Sequence, residues 1–245
     1  MRLAILFITV GFFDAVQAET LTVAVASNFA PTAEQIAADF TAQTGHEIRF
    51  STGSTGKLHT QVLHGAPYDI FLAADSQSPR MLEESGEGVK GTRLTYARGV
   101  LVLWSVAEQA SCSFHFDDLG HARLAIANPT TAPYGRAAVE FLELTGSWER
   151  ISAQVVYGEN VAQALHFAAT SNARYAIIAK SQSLEAKLPA ATCVRHIPEE
   201  TYTALKQDAI LLQRAADNPV AMQFLQYLQE PATRDTIRRM GYGVP

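Results

Sequence analysis

Cysteine is nearly missing: Cys112 and Cys193 are the only ones in 245 residues. They form no C-x-x-C and no Cys/His spacing, so no sequence-local metal site is built on them. In an oxidising compartment the pair is expected to bond, closing a loop of about 80 residues; the alternative is two unpaired buried thiols. The seven histidines (His46, His59, His64, His115, His121, His166, His196) show no H-E-x-x-H and no i, i+4 pair, which leaves a metal or zinc-enzyme reading without ligands. Runs of like charge are also absent, and the formal net charge is −5. A mildly acidic chain gains no counterion-release energy from a polyanion, so nucleic acid is not an expected partner. Beyond the N-terminus no apolar run approaches the roughly 20 residues that span a bilayer.

The N-terminus is the exception. Arg2 precedes the apolar run L-A-I-L-F-I-T-V-G-F-F, and Val16-Gln17-Ala18 places small residues where a signal peptidase accepts them. This is the pattern of a secretory leader over residues 1–18, cleaved after Ala18. With 48% hydrophobic and 18% charged residues, the remaining chain is expected to be a soluble globular protein with a sizeable core.

Along that chain, apolar alternation and helical spacing trade places. Strands are expected at Leu21–Ala26, Glu47–Ser51 and Tyr68–Ala74, the last almost wholly apolar, as a strand buried on both faces is. Helices are expected between them: one with Pro31 in its first turn and Gly45 as its stop, one over Thr55–His64, and one around Met81-Leu82 capped by Asp75. A long strand is expected over Tyr96–Trp104. A second set follows: strand Arg123–Ala127, helix Ala137–Thr145, strand Gln154–Tyr157, helix Val161–Thr170 and strand Tyr175–Ala179. A strand around Ala209–Gln213 and helices Ala221–Gln229 and Ala232–Met240 end the chain. Alternation of this kind makes an α/β fold with mostly parallel sheets. Two such sets without a flexible linker predict two lobes joined by strands, with crossings near Gly99 and Thr203–Lys206. Lobe one is then 19–97 with 207–245, and lobe two is 98–206.

The segment S-T-G-S-T-G-K-L (residues 51–58) invites three chemistries. A Walker phosphate loop requires glycine at Ser51 and a hydroxyl at Leu58, and both are missing. A nucleophile turn around Ser54 requires glycine at Thr52, where a β-branched residue stands, and no histidine is placed by sequence as its base. An anion cradle fits better, because its ingredients recur. S-N at 27–28, S-T-G-S-T-G at 51–56, T-T-A-P-Y-G at 130–135 and G-E-N-V at 158–161 each join a strand to the following helix. Such junctions present free backbone N–H groups and the positive end of a helix dipole, at the strand ends where ligands gather in open α/β sheets. Any single junction reads equally well as an ordinary N-cap; the combination points to an oxyanion held between lobes.

These same segments carry a resemblance. A-V-A-S-N-F, T-G-H-E-I-R-F-S-T-G-S-T-G, G-A-P-Y-D-I-F-L-A-A-D, L-V-L-W-S, N-P-T-T-A-P-Y-G and E-N-V-A-Q-A are similar to the periplasmic molybdate-binding proteins, the substrate-binding components of ABC transporters. The resemblance covers essentially the whole chain after the leader. It implies a two-lobed type II periplasmic-binding fold with two interlobe crossovers. It further implies a monomer in the periplasm that captures molybdate or tungstate, performs no reaction, needs no cofactor and serves a membrane-embedded permease. Carried over by position, Ser27 and Thr55 are the hydroxyl ligands, with Ser54 standing beside Thr55 as a further candidate. Tyr134 and Val161 are backbone N–H donors, and Asn28 matches a subgroup in which an asparagine joins the site. Many members carry a tyrosine where this chain has Ala179, which again places it with the asparagine subgroup. Neutral donors of this kind suit a fully deprotonated dianion and disfavour a protonated one, which would present a donor where no acceptor waits. Sulfate or another tetrahedral oxyanion is the alternative ligand, and a secreted hydrolase using Ser54 or Ser27 the alternative activity. Lys57 is expected to be a first-turn surface residue, not a phosphate clamp.

Overall fold

The structure is a computed structural model that describes residues 18–108, 110, 112, 116–185 and 188–245. The expected leader lies outside the described residues but for Ala18. The first region contains β1 (Thr20–Ala26), α1 (Ala30–Thr44), β2 (Glu47–Gly53), α2 (Thr55–Leu63), β3 (Ile70–Leu72), α3 (Gln77–Ser85) and β4 (Leu94–Gly99). Next come β5 (Leu101–Ser105), β6 (Leu124–Ala127), α4 (Pro133–Leu144), the single turn α5 (Trp148–Ile151), β7 (Val155–Gly158), α6 (Val161–Ala169), β8 (Tyr175–Ala179) and β9 (Cys193–His196). The chain ends with β10 (Leu205–Leu211), α7 (Pro219–Tyr227) and α8 (Pro231–Arg239).

These strands form two five-stranded sheets, ordered β2-β1-β3-β10-β4 and β7-β6-β8-β5-β9. In the first, β1 pairs parallel with β2 and β3, while β10 runs antiparallel between β3 and β4. In the second, β6 pairs parallel with β7 and β8, while β5 runs antiparallel between β8 and β9. The chain therefore changes sheet twice, between β4 and β5 and between β9 and β10. Strand alternation decides the faces of the first sheet. Leu21, Val23, Val25, Ile70, Leu72, Ala209 and Leu211 pack with Phe29, Ile36, Phe40 and Phe224 on one side. Ala24, Phe71 and Ile210 meet Leu58, Val62 and Leu82 on the other. The second sheet has its own core around Trp104, Ile126, Ile177, Phe141 and Leu165.

Several local expectations change. The long strand over Tyr96–Trp104 is two strands in different sheets, broken at Val100, because continuous apolar alternation does not report a change of partner. The apolar strand at Tyr68–Ala74 keeps only Ile70–Leu72 as regular strand, and past its end the N–H of Ala74 goes to the Thr55 hydroxyl at 3.0 Å. Helix α4 begins at Pro133, four positions before Ala137, with proline in the first turn where its missing N–H costs nothing. Strand β9 had no sequence signal of its own. Asp75 is not the N-cap of α3, a place Ser76 takes, yet its carboxylate still accepts from the first-turn Ser78 N–H at 2.9 Å. Gly45 ends α1 as expected, in the left-handed conformation at φ 77°. Cys112 and Cys193 are bonded, with Cα atoms 5.3 Å apart, tying the segment after β5 to the edge strand β9.

Candidate binding site

Four strand-to-helix junctions, two on each sheet, converge on one small cavity. Its wall includes Ser27 and Asn28 after β1, Ser54 and Thr55 after β2, Ala132 to Tyr134 at the start of α4, and Asn160 and Val161 at the start of α6. All five residues expected in the site (Ser27, Asn28, Thr55, Tyr134 and Val161) are thus brought together, and all are buried. Ala179 is not in the wall; it lies in the buried strand β8.

The cavity wall carries no Asp, Glu, Lys, Arg or His, so whatever it holds is held by dipoles. Those dipoles point one way. The carbonyls of Ala26, Gly53, Ser54, Ala132 and Asn160 already accept backbone hydrogen bonds from Phe29, Ser27, Leu58, Gly135 and Ala164. The Asn160 side-chain oxygen accepts from Gln163 N at 3.1 Å as the cap of α6. Donors are in the opposite condition. Thr55, Tyr134 and Val161 stand in the first turns of α2, α4 and α6, where no intrahelical carbonyl is in reach of their N–H groups. The Thr55 hydroxyl accepts from Ala74 N at 3.0 Å, which leaves its single proton to give elsewhere. The Ser54 hydroxyl is buried without any partner. With these carbonyls satisfied and donors free, and with three helix N-termini facing in, the arrangement favours an anion.

The side-chain amide of Asn28 is not free for a ligand. Its Nδ2 donates to Gln207 Oε1 at 3.0 Å and to Tyr242 Oη at 3.2 Å, so both side-chain protons are committed. Its carbonyl accepts from the Tyr242 hydroxyl at 2.6 Å. Sequence reading missed Gln207, Tyr242, Tyr96 and Ser181, which surround Asn28 with a buried polar network. Their one signal is a polar or hydroxyl residue inside an otherwise buried element. Burial pushes the phenols of Tyr96, Tyr134 and Tyr242 up from their ordinary value, so each remains a neutral hydroxyl at physiological pH.

The motif S-T-G-S-T-G-K also gains an explanation for its last two residues. The N–H of Gly56 donates to the carbonyl of Thr131, on the opposite side of the cleft, at 2.8 Å, and a Cβ at position 56 would lie only 3.0 Å from that oxygen. Lys57 is half-exposed, as expected of a surface position, and its ammonium pairs with Glu159 across the cleft at 2.6 Å. Arg136 and Asp75 form a second such pair at 2.8 Å. Among the described residues neither the Ser27 nor the Ser54 hydroxyl is hydrogen-bonded to a histidine.

Two α/β units that close a donor-lined cavity between them define a two-lobed periplasmic-type binding protein. The family model for bacterial extracellular solute-binding proteins matches residues 21–243, and the chain belongs to that family. It is 39% identical to the molybdate-binding protein ModA of Azotobacter vinelandii over 237 residues, covering 94% of this chain and 92% of that protein. It is 39% identical to ModA of Rhodobacter capsulatus over 225 residues, covering 89% and 86% of the two chains. The solved periplasmic molybdate-binding protein of Azotobacter vinelandii superposes with a TM-score of 0.87 at 33% identity, over 92% of this chain and 99% of that one.

Proposed function

We propose that this protein captures molybdate or tungstate in the cleft between its lobes and delivers the anion to the membrane-embedded permease of an ABC transporter. It does so in the periplasm, as a monomer released from its leader after Ala18, without a cofactor and without chemistry on the ligand. Residues 19–99 and 205–245 form one lobe and 100–204 the other, since β4 and β10 each stay whole in the first sheet and are not cut at 97/98 and 206/207. The observation that carries the reading is the one-sided hydrogen-bonding state of the cavity: free donors from both lobes, satisfied acceptors and no ionisable carboxylate or base. The relatives named for molybdate binding support the choice of anion.

In this reading Ser27 and Thr55 donate their hydroxyl protons, joined by Ser54, while Asn28, Tyr134 and Val161 contribute main-chain N–H groups. Each charge-assisted bond contributes roughly 1.5–3 kcal/mol, and lobe closure removes the water that would compete. Titration calorimetry with molybdate, tungstate and sulfate tests it. Strong binding of the first two with little response to sulfate is expected. No heat with molybdate or tungstate ends the proposal, and a dominant sulfate response reassigns the ligand.

A further inference from the structure

Gln207 does not line the anion cavity, yet its side chain is fully buried on β10, opposite Ala97 of β4 and just before the bulge at Gln207/Asp208. A buried carboxamide is costly unless its donors and acceptors are used, and here they reach both sides of the cleft. Oε1 accepts from Asn28 Nδ2 at 3.0 Å and shares the Tyr96 hydroxyl proton, at 3.2 Å, with the carbonyl of Ala73 at 2.9 Å. Nε2 donates to the Tyr134 hydroxyl at 3.1 Å. Asn28 and Tyr96 belong to the first sheet's side, whereas Tyr134 opens α4 on the second.

The backbone is shaped around this meeting point. A Cβ at Gly99, the last residue of β4 before the chain crosses, would collide with the Tyr134 hydroxyl and with Gln207 Nε2. Glycine there is explained by the close approach and not by its backbone angles. A second tie reaches Asn28 from the other lobe: Ser181 Oγ donates to the Tyr242 hydroxyl at 2.8 Å, which in turn donates to the Asn28 carbonyl.

We infer that Gln207 is a positioning residue of the anion site, coupling Asn28 in one lobe to Tyr134 in the other beside the crossing strands. Resting on the oxyanion reading above, it sets two residues whose N–H groups serve the anion at a fixed separation. The bond from Nε2 to Tyr134 joins one lobe to the other and so adds to the stability of the closed form. Its loss therefore quickens release and leaves capture by the open form unchanged.

Stopped-flow measurement of molybdate and tungstate binding to the wild type, Tyr134→Phe, Gln207→Leu and the double variant tests the coupling. Tyr134→Phe deletes the hydroxyl and keeps the main-chain donor, so it carries the test even where Gln207→Leu fails to fold. Dissociation about 3- to 10-fold faster is expected in each single variant. The association rate should stay within about twofold, and the double variant should release no faster than the faster single. Wild-type release by Tyr134→Phe, or multiplying effects in the double variant, overturns the inference alone. A wild type that binds neither anion overturns the oxyanion reading and the inference with it.

Discussion

The two lobes share one plan and contribute unlike things to the cavity between them. Each sheet begins with a parallel trio whose first strand is central, continues with an antiparallel strand and ends in an edge strand. In each, the antiparallel strand is the one that enters after a crossing (β10 or β5), and the edge strand is the one that leaves (β4 or β9). The first lobe nevertheless lines the cavity with hydroxyls, from Ser27, Ser54 and Thr55, whereas the second lines it with Ala132, Pro133, Tyr134, Asn160 and Val161. In the proposed site the first lobe offers three side-chain hydroxyls beside the Asn28 main-chain N–H, and the second offers only main-chain N–H groups fixed by helix geometry. The disulfide is confined to the second lobe.

That difference can be broken by substitution. The largest effect is expected from removing the disulfide with Cys112→Ser and Cys193→Ser together. For cysteines 81 residues apart, the chain-entropy account gives a loss of about 4.5 kcal/mol, read by urea denaturation. Anion affinity of the folded variant should not change, because neither cysteine lines the cavity; a large loss of affinity would show that the second lobe's donors depend on the disulfide. Next comes Thr55→Val, which keeps the shape and removes the hydroxyl. Losing one charge-assisted bond should weaken binding about 10- to 150-fold. Stability should also fall by about 1–3 kcal/mol, because the Ala74 N–H is left without its acceptor.

The sharpest contrast lies at Val161, the first residue of α6. Proline is tolerated at that position and has no N–H, and Asn160 before it is already extended at φ −146°, ψ 176°. Val161→Pro is therefore expected to weaken anion binding about 10- to 150-fold with little loss of stability. Val161→Ala, which keeps the donor, should bind within about threefold of wild type. Equal losses from the two variants, measured by calorimetry, would contradict the main-chain role of the second lobe.

How much of this was readable depended on sequence distance. The junctions at Ser27, Thr55, Tyr134 and Val161 are local: a strand ends, small or hydroxyl residues follow, and a helix begins, so their chemistry shows in a few residues. The parallel order of the sheets followed from the same alternation. The coupling around Asn28 was not readable, because its partners Gln207 and Tyr242 lie 179 and 214 residues away. A glutamine in a strand reads as a solvent-facing residue until the fold buries it. Gly99 was visible as an interruption of an apolar run, but the reason for it, the hydroxyl of Tyr134 arriving from the other lobe, belongs to tertiary structure. Asn28 itself shows both cases, since its place beside the cavity was legible and the commitment of its amide was not.

The central claim is that free donors from both lobes converge on one anion. A crystal structure with tungstate, phased on the tungsten anomalous signal, tests it most directly. The account predicts a single strong peak in the cavity, with the anion's oxygens within hydrogen-bonding distance of the Ser27 and Thr55 hydroxyls and of the Tyr134 and Val161 main-chain nitrogens. A tungsten peak elsewhere, or an anion in the cavity held by one lobe alone, would contradict it.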